Sequence, residues 1–131
     1  MTLNLQYFQV LTTKIFMKQS EIWLVNLDPT IGAEIKKVRP AVIVNDDSLG
    51  KLPLKIIVAV TDWKERYSLA EWMIKIEADN YNNLTKTSAA DCFQIRSVSQ
   101  DRFIKKLGNV TQVHLFLIQN AMASVLSIQL N

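Results

Sequence analysis

The chain has 131 residues, a length that predicts one domain with a single hydrophobic core. Hydrophobic residues make up 49% of it and charged residues 21%, which excludes a disordered tail, a fibre or a coiled coil. Its formal charge of +3 allows an anionic partner such as nucleic acid but does not require one.

Five or six short strands and one terminal helix are predicted in chain order. Residues 1–16 precede a second methionine, Met17, and we expect them to be a peripheral extension of a single domain, residues 17–131. Trp23 lies in an apolar run and Trp72 in an alternating one, and both are expected in the core. Apolar, β-branched or alternating runs predict the strands, which are Ile22–Leu27, Pro40–Asn45, Leu54–Thr61, Glu71–Ile76, Ala90–Val98 and, as a closing strand or turn, Ile104–Val110.

The pattern changes to helical spacing after Val110. We predict an amphipathic C-terminal helix over Gln112–Leu126, with Thr111 as its N-cap. The fold class is therefore α+β, a small antiparallel β-barrel-like sheet with a C-terminal helix. The positions that carry the helical spacing are Val113, Phe116, Leu117, Asn120, Ala121, Val125 and Leu126.

The residue inventory limits the possible chemistry. A single cysteine, Cys92, excludes an internal disulfide and a cysteine zinc site, and it fits a reducing, cytoplasmic location. Cys92 itself is expected to be a small buried strand residue. The single histidine, His114, falls in the predicted helix, where a structural role is commoner than a catalytic one. No phosphate loop, metal-binding motif or membrane-length apolar run occurs, so we expect no metal, no cofactor and no membrane contact.

One stretch near the N-terminus carries the most specific pattern. A strand is followed by Asp28-Pro29-Thr30-Ile31-Gly32-Ala33-Glu34, a basic loop, Arg39-Pro40-Ala41-Val42 and a second strand. In this motif, and in its layout to about Leu126, the chain resembles the MazF/PemK-type toxins. The resemblance implies an SH3-like antiparallel barrel of the MazF/CcdB/Kid type that pairs into a homodimer.

The resemblance also implies a function. The chain would be the toxin of a type II toxin–antitoxin system, a sequence-selective, metal-independent endoribonuclease or mRNA interferase. The 2′-hydroxyl of single-stranded RNA would attack the adjacent phosphate, leaving a 2′,3′-cyclic phosphate and a 5′-hydroxyl. A cognate antitoxin would cover the basic loops, and DNA would be contacted only through the antitoxin complex.

Three residues match the positions that the family uses for catalysis. Arg39 would stabilise charge on the transition-state phosphorane, or else form a structural salt bridge before a strand. Thr61 would hydrogen-bond a phosphate oxygen or the reacting hydroxyl, or else be only a β-branched strand residue. Glu34 would act as a general base or steer its loop, or else be a solvated carboxylate.

Six further residues are predicted to contact RNA. RNA bases stack on aromatic rings, and cationic side chains bind along the phosphate backbone. The alternative to RNA contact is that the lysines lie in solvated basic loops and that Trp63 closes one end of the barrel. Several relatives carry an acidic residue where this chain has Phe93, so that carboxylate is absent here and Asp91 is a candidate to cover part of its role. The six residues are Lys36, Lys37, Trp63, Lys64, Gln94 and Arg96.

Two other functions remain open from the sequence. The resemblance extends to toxins of this fold that inhibit DNA gyrase and cut nothing. A barrel that binds RNA or protein without catalysis would also fit the composition. Retention of Arg39 and Thr61 favours cleavage, and the RNA sequence recognised depends on loop shapes that the sequence alone does not define.

Overall fold

The computed structural model describes residues 17–49 and 52–129. The expectation that residues 1–16 form a peripheral extension lies outside these residues. The described part contains one antiparallel sheet and one helix, α1 (Gln112–Val125). The strands are β1 (Glu21–Asn26), β2 (Val38–Ile43), β3 (Leu54–Asp62), β4 (Met73–Ile76), β5 (Ser88–Ser99) and β6 (Phe103–Asn109), with short 3-10 turns at Glu65–Leu69 and Gln100–Arg102.

The sheet has the strand order β4-β5-β3-β2-β1-β6, and every neighbouring pair is antiparallel. The two edge strands, β4 and β6, do not pair within the described residues, so the sheet is open rather than a closed barrel. The predicted α+β class and terminal helix are confirmed, and the closing segment that was predicted as a strand or a turn is the strand β6.

A bulge interrupts the longest pairing of the sheet. Val58 pairs with Ile95, but its neighbour Ala59 pairs with Asp91, so three residues of β5 lack partners on β3. Bulges bend a strand and redirect its side chains. Here the bulge contains Phe93 and Gln94, two positions that the family resemblance singles out.

Alternation along the strands builds a core on each face of the sheet. One face, covered by α1, buries Ile22, Val42 and Val58 together with Ile118 of the helix. The opposite face buries a second set around Trp23, which makes an edge contact with the Phe103 ring at 5.8 Å between centroids. Complete burial of an isoleucine contributes roughly 1.5–3 kcal/mol, so both faces stabilise the sheet.

The two tryptophan predictions have different outcomes. Trp23 is 8% exposed and belongs to the core, as predicted. Trp72 is 40% exposed, so its assignment to the core is wrong. Trp72 lies just before the short edge strand β4, where its ring meets the exposed ring of Phe93 at 5.9 Å.

The helix begins as predicted, because the Thr111 hydroxyl accepts a hydrogen bond from the His114 amide at 3.1 Å. Its buried residues are Leu115, Ile118, Ala121 and Ala123, whereas the predicted positions Val113, Phe116, Leu117 and Leu126 are largely exposed. The helix has apolar residues on both faces, so helical spacing alone did not identify the face that packs on the sheet. None of the helices in the described residues is long and apolar enough to cross a membrane.

Candidate functional site

Strand pairing brings Arg39 and Thr61 to the same region of the sheet. Ala41 pairs with Ala59 on β3, and continuing this register by two residues places Arg39 opposite Thr61. Side chains directly opposite each other on neighbouring strands share a face. Both residues also border a cleft of about 360 Å³ at the rim where β2 begins and β3 ends.

The Arg39 guanidinium is exposed at this cleft. No carboxylate of residues 17–49 or 52–129 forms an ion pair with it. This geometry argues against the alternative of a structural salt bridge before the strand. An unpaired guanidinium keeps its planar set of donors for a bidentate anion such as phosphate.

The cleft carries more positive than negative charge. Besides Arg39 it is lined by Lys86 and Lys105 and by a single carboxylate, that of Asp62. Lys86 Nζ lies 2.9 Å from Asp62 Oδ2, in a pair that is about half exposed. Three cations against one anion favour a phosphate group, and Thr61 adds a hydroxyl donor.

The far wall of the cleft is the connection between β4 and β5, which includes Asn83 and Lys86. Its centre is Asn82, only 2% exposed, whose Oδ1 accepts from the amides of Asp79 and Leu84 at 3.0 Å each. Asn82 Nδ2 also donates to the Glu77 carbonyl at 2.8 Å. Sequence reasoning missed the role of this Asn-rich stretch as a wall of the cleft.

The loop between β1 and β2, residues 27–37, carries Glu34, Lys36 and Lys37, and none of the three lines the cleft. The Glu34 carboxylate accepts a hydrogen bond from the Ile31 amide at 2.7 Å and thereby closes a turn. The Lys37 amide donates to Asp28 Oδ1 at 3.0 Å, with Lys37 at φ +69°. The side chains of all three predicted residues are exposed on this loop.

Gln94 and Arg96 make their hydrogen bonds to the β1–β2 loop. Gln94 Oε1 accepts from the Ile35 amide at 2.6 Å, and its Nε2 donates to the Ala33 carbonyl at 3.3 Å. Arg96 Nη1 donates to the Leu27 carbonyl at 3.0 Å. Both side chains therefore hold protein backbone in this structure.

Arg102 was missed by sequence reasoning. Its guanidinium donates to the carbonyls of Asn26 and Asp28, on either side of the one that Arg96 binds. The only signal in the sequence was a basic residue, which does not distinguish this role from that of a solvated side chain.

Trp63 and Lys64 follow the end of β3. The half-buried Trp63 ring meets Tyr67 edge-on at 5.9 Å, and Lys75 Nζ lies 5.1 Å from its centroid. Trp63 Nε1 donates to Glu65 at 3.3 Å, while Lys64 is exposed. Trp63 thus lies in a cluster of aromatic and basic side chains that includes Lys75 of β4, a residue that the sequence pattern did not indicate.

Asp91 and Cys92 have perturbed acidities. Burial raises the pKa of Asp91, and hydrogen bonds from the Phe93 amide and the Gln94 side chain oppose this only in part. Burial and the neighbouring carboxylate of Asp91 raise the pKa of the Cys92 thiol to about 12. Cys92 is therefore a buried thiol, as predicted, and is unsuited to nucleophilic attack at neutral pH.

Comparison with known proteins agrees with this architecture. The family model of the PemK-like, MazF-like toxins of type II toxin–antitoxin systems matches residues 18–126. The endoribonuclease MazF9 of Mycobacterium tuberculosis is 28% identical over 110 residues, covering 81% of this chain and 92% of the relative. The endoribonuclease MazF of Staphylococcus epidermidis is 29% identical over 107 residues, covering 81% and 88%.

Solved structures share the fold at lower sequence identity. MazF (Form-I) from Deinococcus radiodurans superposes with a TM-score of 0.71 at 17% identity, covering 85% of this chain and 96% of that one. An endoribonuclease in complex with its cognate antitoxin, from a mycobacterial species, superposes with a TM-score of 0.68 at 16% identity. That superposition covers 88% of this chain and 99% of that one.

Proposed function

This chain belongs to the PemK-like, MazF-like toxin family of type II toxin–antitoxin systems, and from that premise we propose that it is a sequence-selective endoribonuclease of single-stranded RNA. The observation that carries the proposal is the position of Arg39 and Thr61 on one cationic cleft. The endoribonuclease names of its relatives support the same activity.

The reaction divides into one bond formed and one bond broken. The 2′-oxygen of the substrate attacks the adjacent phosphorus and gives up its proton to a base. The bond from phosphorus to the 5′-oxygen breaks, and that oxygen takes up a proton. The products are a 2′,3′-cyclic phosphate and a 5′-hydroxyl, with no metal or cofactor in the cycle.

Arg39 stabilises the charge that develops on the non-bridging phosphate oxygens, because its guanidinium is permanently charged and unpaired at the cleft. The Thr61 hydroxyl hydrogen-bonds the same phosphate group. Glu34 contributes as a base after it releases the Ile31 amide, or else it acts by shaping its loop. Lys36, Lys37 and Lys64 attract the RNA backbone, and Trp63 stacks a base.

The active assembly that we propose is a homodimer in the cytoplasm. Val113, Phe116 and Leu117 leave an apolar surface on α1, 41–68% exposed in a single chain, which a second copy of the chain would cover. The partner that silences it is a cognate antitoxin, by analogy with the antitoxin-bound mycobacterial relative. An acidic extended segment of the antitoxin over Lys36 and Lys37 would exclude RNA, and DNA would be met only through that complex.

A cleavage assay with a chelator present tests the activity. Wild-type protein should cut a long single-stranded RNA into discrete fragments with cyclic phosphate ends. Arg39→Ala should lose about 100-fold or more in kcat, and Arg39→Lys should recover only part of it because an ammonium lacks the planar fork. Arg66→Ala is the matched control for kcat, since Arg66 lies over the Tyr67 ring and not at the cleft; an effect through the neighbouring Trp63 ring should appear in KM. Absence of cleavage with retained RNA binding would favour a non-catalytic module, and binding to gyrase would favour the other alternative.

A further inference from the structure

We propose that Gln94 is a positioning residue that latches the β1–β2 loop over β5, with Arg96 and Arg102 anchoring the start of the same loop. This inference rests on the proposed ribonuclease function for its consequences, but the latch itself is a property of the fold. It replaces direct contact with RNA as the role of Gln94 and Arg96.

The loop's own hydrogen bonds close its base and its tip separately and do not hold the tip against the sheet. Leu27 and Lys37 are joined by an amide-to-carbonyl bond of 2.9 Å at its base. Between them Gly32 adopts φ +59° and Ile31 is 84% exposed. Only Ile35 among the residues of the loop tip is packed against a core cluster. The tip therefore needs contacts from elsewhere in the chain to hold one position.

Gln94 supplies those contacts from 59 and 61 residues away. The Ile35 amide can only donate and the Ala33 carbonyl can only accept, so the two partners fix a single orientation of the Gln94 amide group. The second N–H of that amide lies toward Asp91 Oδ2, 3.4 Å from the nitrogen. Both donors of Gln94 are then engaged, and neither is available to read a base while the loop stays latched.

Asp91 stabilises the latch through hydrogen bonds to the bulge and to Gln94. It is 6% exposed, it pairs with Ala59 across the bulge, and its Oδ1 accepts from the Phe93 amide at 3.1 Å. This bond fixes the bulge backbone that places Gln94 under the loop. The Gln94 contact at the second carboxylate oxygen favours the amide orientation that the loop requires.

Two arginines anchor the other end of the loop. Arg96 binds the carbonyl of Leu27, and Arg102 binds those of Asn26 and Asp28. Three consecutive carbonyl oxygens are thereby held by two guanidinium groups from β5 and the turn after it. Hydrogen bonds from charged donors are stronger than those between neutral groups, so this anchor restrains the direction in which the loop leaves β1.

The consequence for function lies in the residues that the loop presents. Glu34 and Lys36 flank Ile35 in the latched segment, so their placement relative to RNA depends on Gln94 as well as on the local turn. Lys37 is held at the base of the loop by Leu27 and Asp28. A group that is held in place before substrate arrives costs less ordering on binding. Loss of the latch should therefore raise KM for a fixed oligonucleotide more than it lowers kcat. It should also reduce the sequence selectivity of cleavage.

Amide hydrogen exchange tests the latch without any RNA. In Gln94→Ala the Ile35 amide should exchange about tenfold faster than in wild type, because its acceptor and a second loop contact are gone. Gln94→Glu keeps an acceptor but cannot donate to Ala33 while ionised. In this variant the protection of the Ile35 amide against exchange, corrected for the pH dependence of intrinsic exchange, should rise as the introduced carboxyl is protonated at low pH. Gln112→Ala, at the exposed start of α1, is the matched control and should leave Ile35 unchanged.

The outcomes separate the two proposals. Exchange at Ile35 within twofold of wild type in Gln94→Ala, with the fold intact by circular dichroism, would overturn the latch. Faster exchange with unchanged KM and cleavage pattern would overturn its positioning role. If wild-type protein cut no RNA at all, the ribonuclease proposal would fall, and the exchange data would still decide the latch. Arg102→Ala should speed amide exchange in residues 27–29, and this change should not depend on pH. A pH dependence in Arg102→Ala identical to that in Gln94→Glu would also contradict the role given to Gln94.

Discussion

Gly108 offers the sharpest test of how the cleft wall is built. It lies in β6, where it pairs with Ile22 on one side and abuts the β4–β5 connection on the other. A Cβ built on Gly108 would lie 2.4 Å from the Tyr81 carbonyl oxygen and 2.8 Å from the carbonyl carbon and oxygen of Asn82. All three are backbone atoms, so no side-chain rotation can relieve the contact.

Gly108→Ala should therefore destabilise the protein by displacing one backbone segment from another. Overpacking of this kind costs about 2–3 kcal/mol. For a chain of this size, that corresponds to a fall in Tm of roughly 6–15 °C. The displaced segment includes the wall residues Asn83 and Lys86, so RNA cleavage should also fall at temperatures where the variant remains folded.

Gly32→Ala is the matched control for this substitution. Gly32 has φ +59°, but no atom lies within 4 Å of the position that a Cβ would take, so alanine there meets conformational strain without collision. That strain is about 1 kcal/mol, or roughly 3–5 °C in Tm. Calorimetry of both variants makes the comparison, and a Gly108→Ala protein that lost no more stability than Gly32→Ala would refute the close-packing account.

Three further predictions concern stability and reactivity. Asn82→Ala removes three hydrogen bonds of a buried side chain and should cost about 2–4 kcal/mol in urea unfolding. The same substitution at the exposed Asn80 should cost less than about 0.5 kcal/mol. Burial alone would raise the pKa of Glu21, but hydrogen bonds from Lys18, Trp23 and Lys106 outweigh it and lower that pKa below its ordinary 4.5. The stabilisation from Glu21 is then present above the unfolded-state pKa and lost as pH falls through the lower folded-state pKa. Glu21→Gln should therefore flatten acid destabilisation below about pH 4.5, and an unchanged pH profile would contradict this. Cys92 should resist a thiol-specific disulfide reagent at pH 8 until the chain unfolds, and rapid labelling of native protein would show that the thiol is accessible.

The elements of the fold were predictable because each has a local signal. β-branched runs marked the strands, and Thr111 marked the start of the helix. The face of α1 was not predictable, because Phe116 and Leu117 are as apolar as Leu115 and Ile118, and only tertiary packing decides between them. Trp72 was misplaced for a related reason, since the sequence pattern of a segment at an edge strand does not differ from that of a segment in the core.

The candidate site was predictable where motif and register agree. Arg39 and Thr61 were identified by resemblance to the family, and extending the β2–β3 register by two residues beyond Ala41 and Ala59 places them opposite each other. The roles of Gln94, Arg96 and Arg102 depend on carbonyl and amide groups 59 to 76 residues away. No local pattern in the sequence reports such contacts, because any residue can supply a backbone carbonyl.

The carboxylates near the site also differ between what resemblance to the family selects and what the structure places at the cleft. Resemblance selected Glu34, yet its carboxylate closes a turn on the Ile31 amide and does not line the cleft. Asp91, the candidate to cover part of the role of the carboxylate absent at Phe93, is buried and bonded to Gln94. Among the described residues, the carboxylate that lines the cleft is that of Asp62, next in sequence to Thr61 and paired with Lys86. Proton transfer requires a group within hydrogen-bonding reach of the reacting hydroxyl. The position of Asp62 at the cleft therefore makes it a candidate general base alongside Glu34, which the motif alone did not indicate.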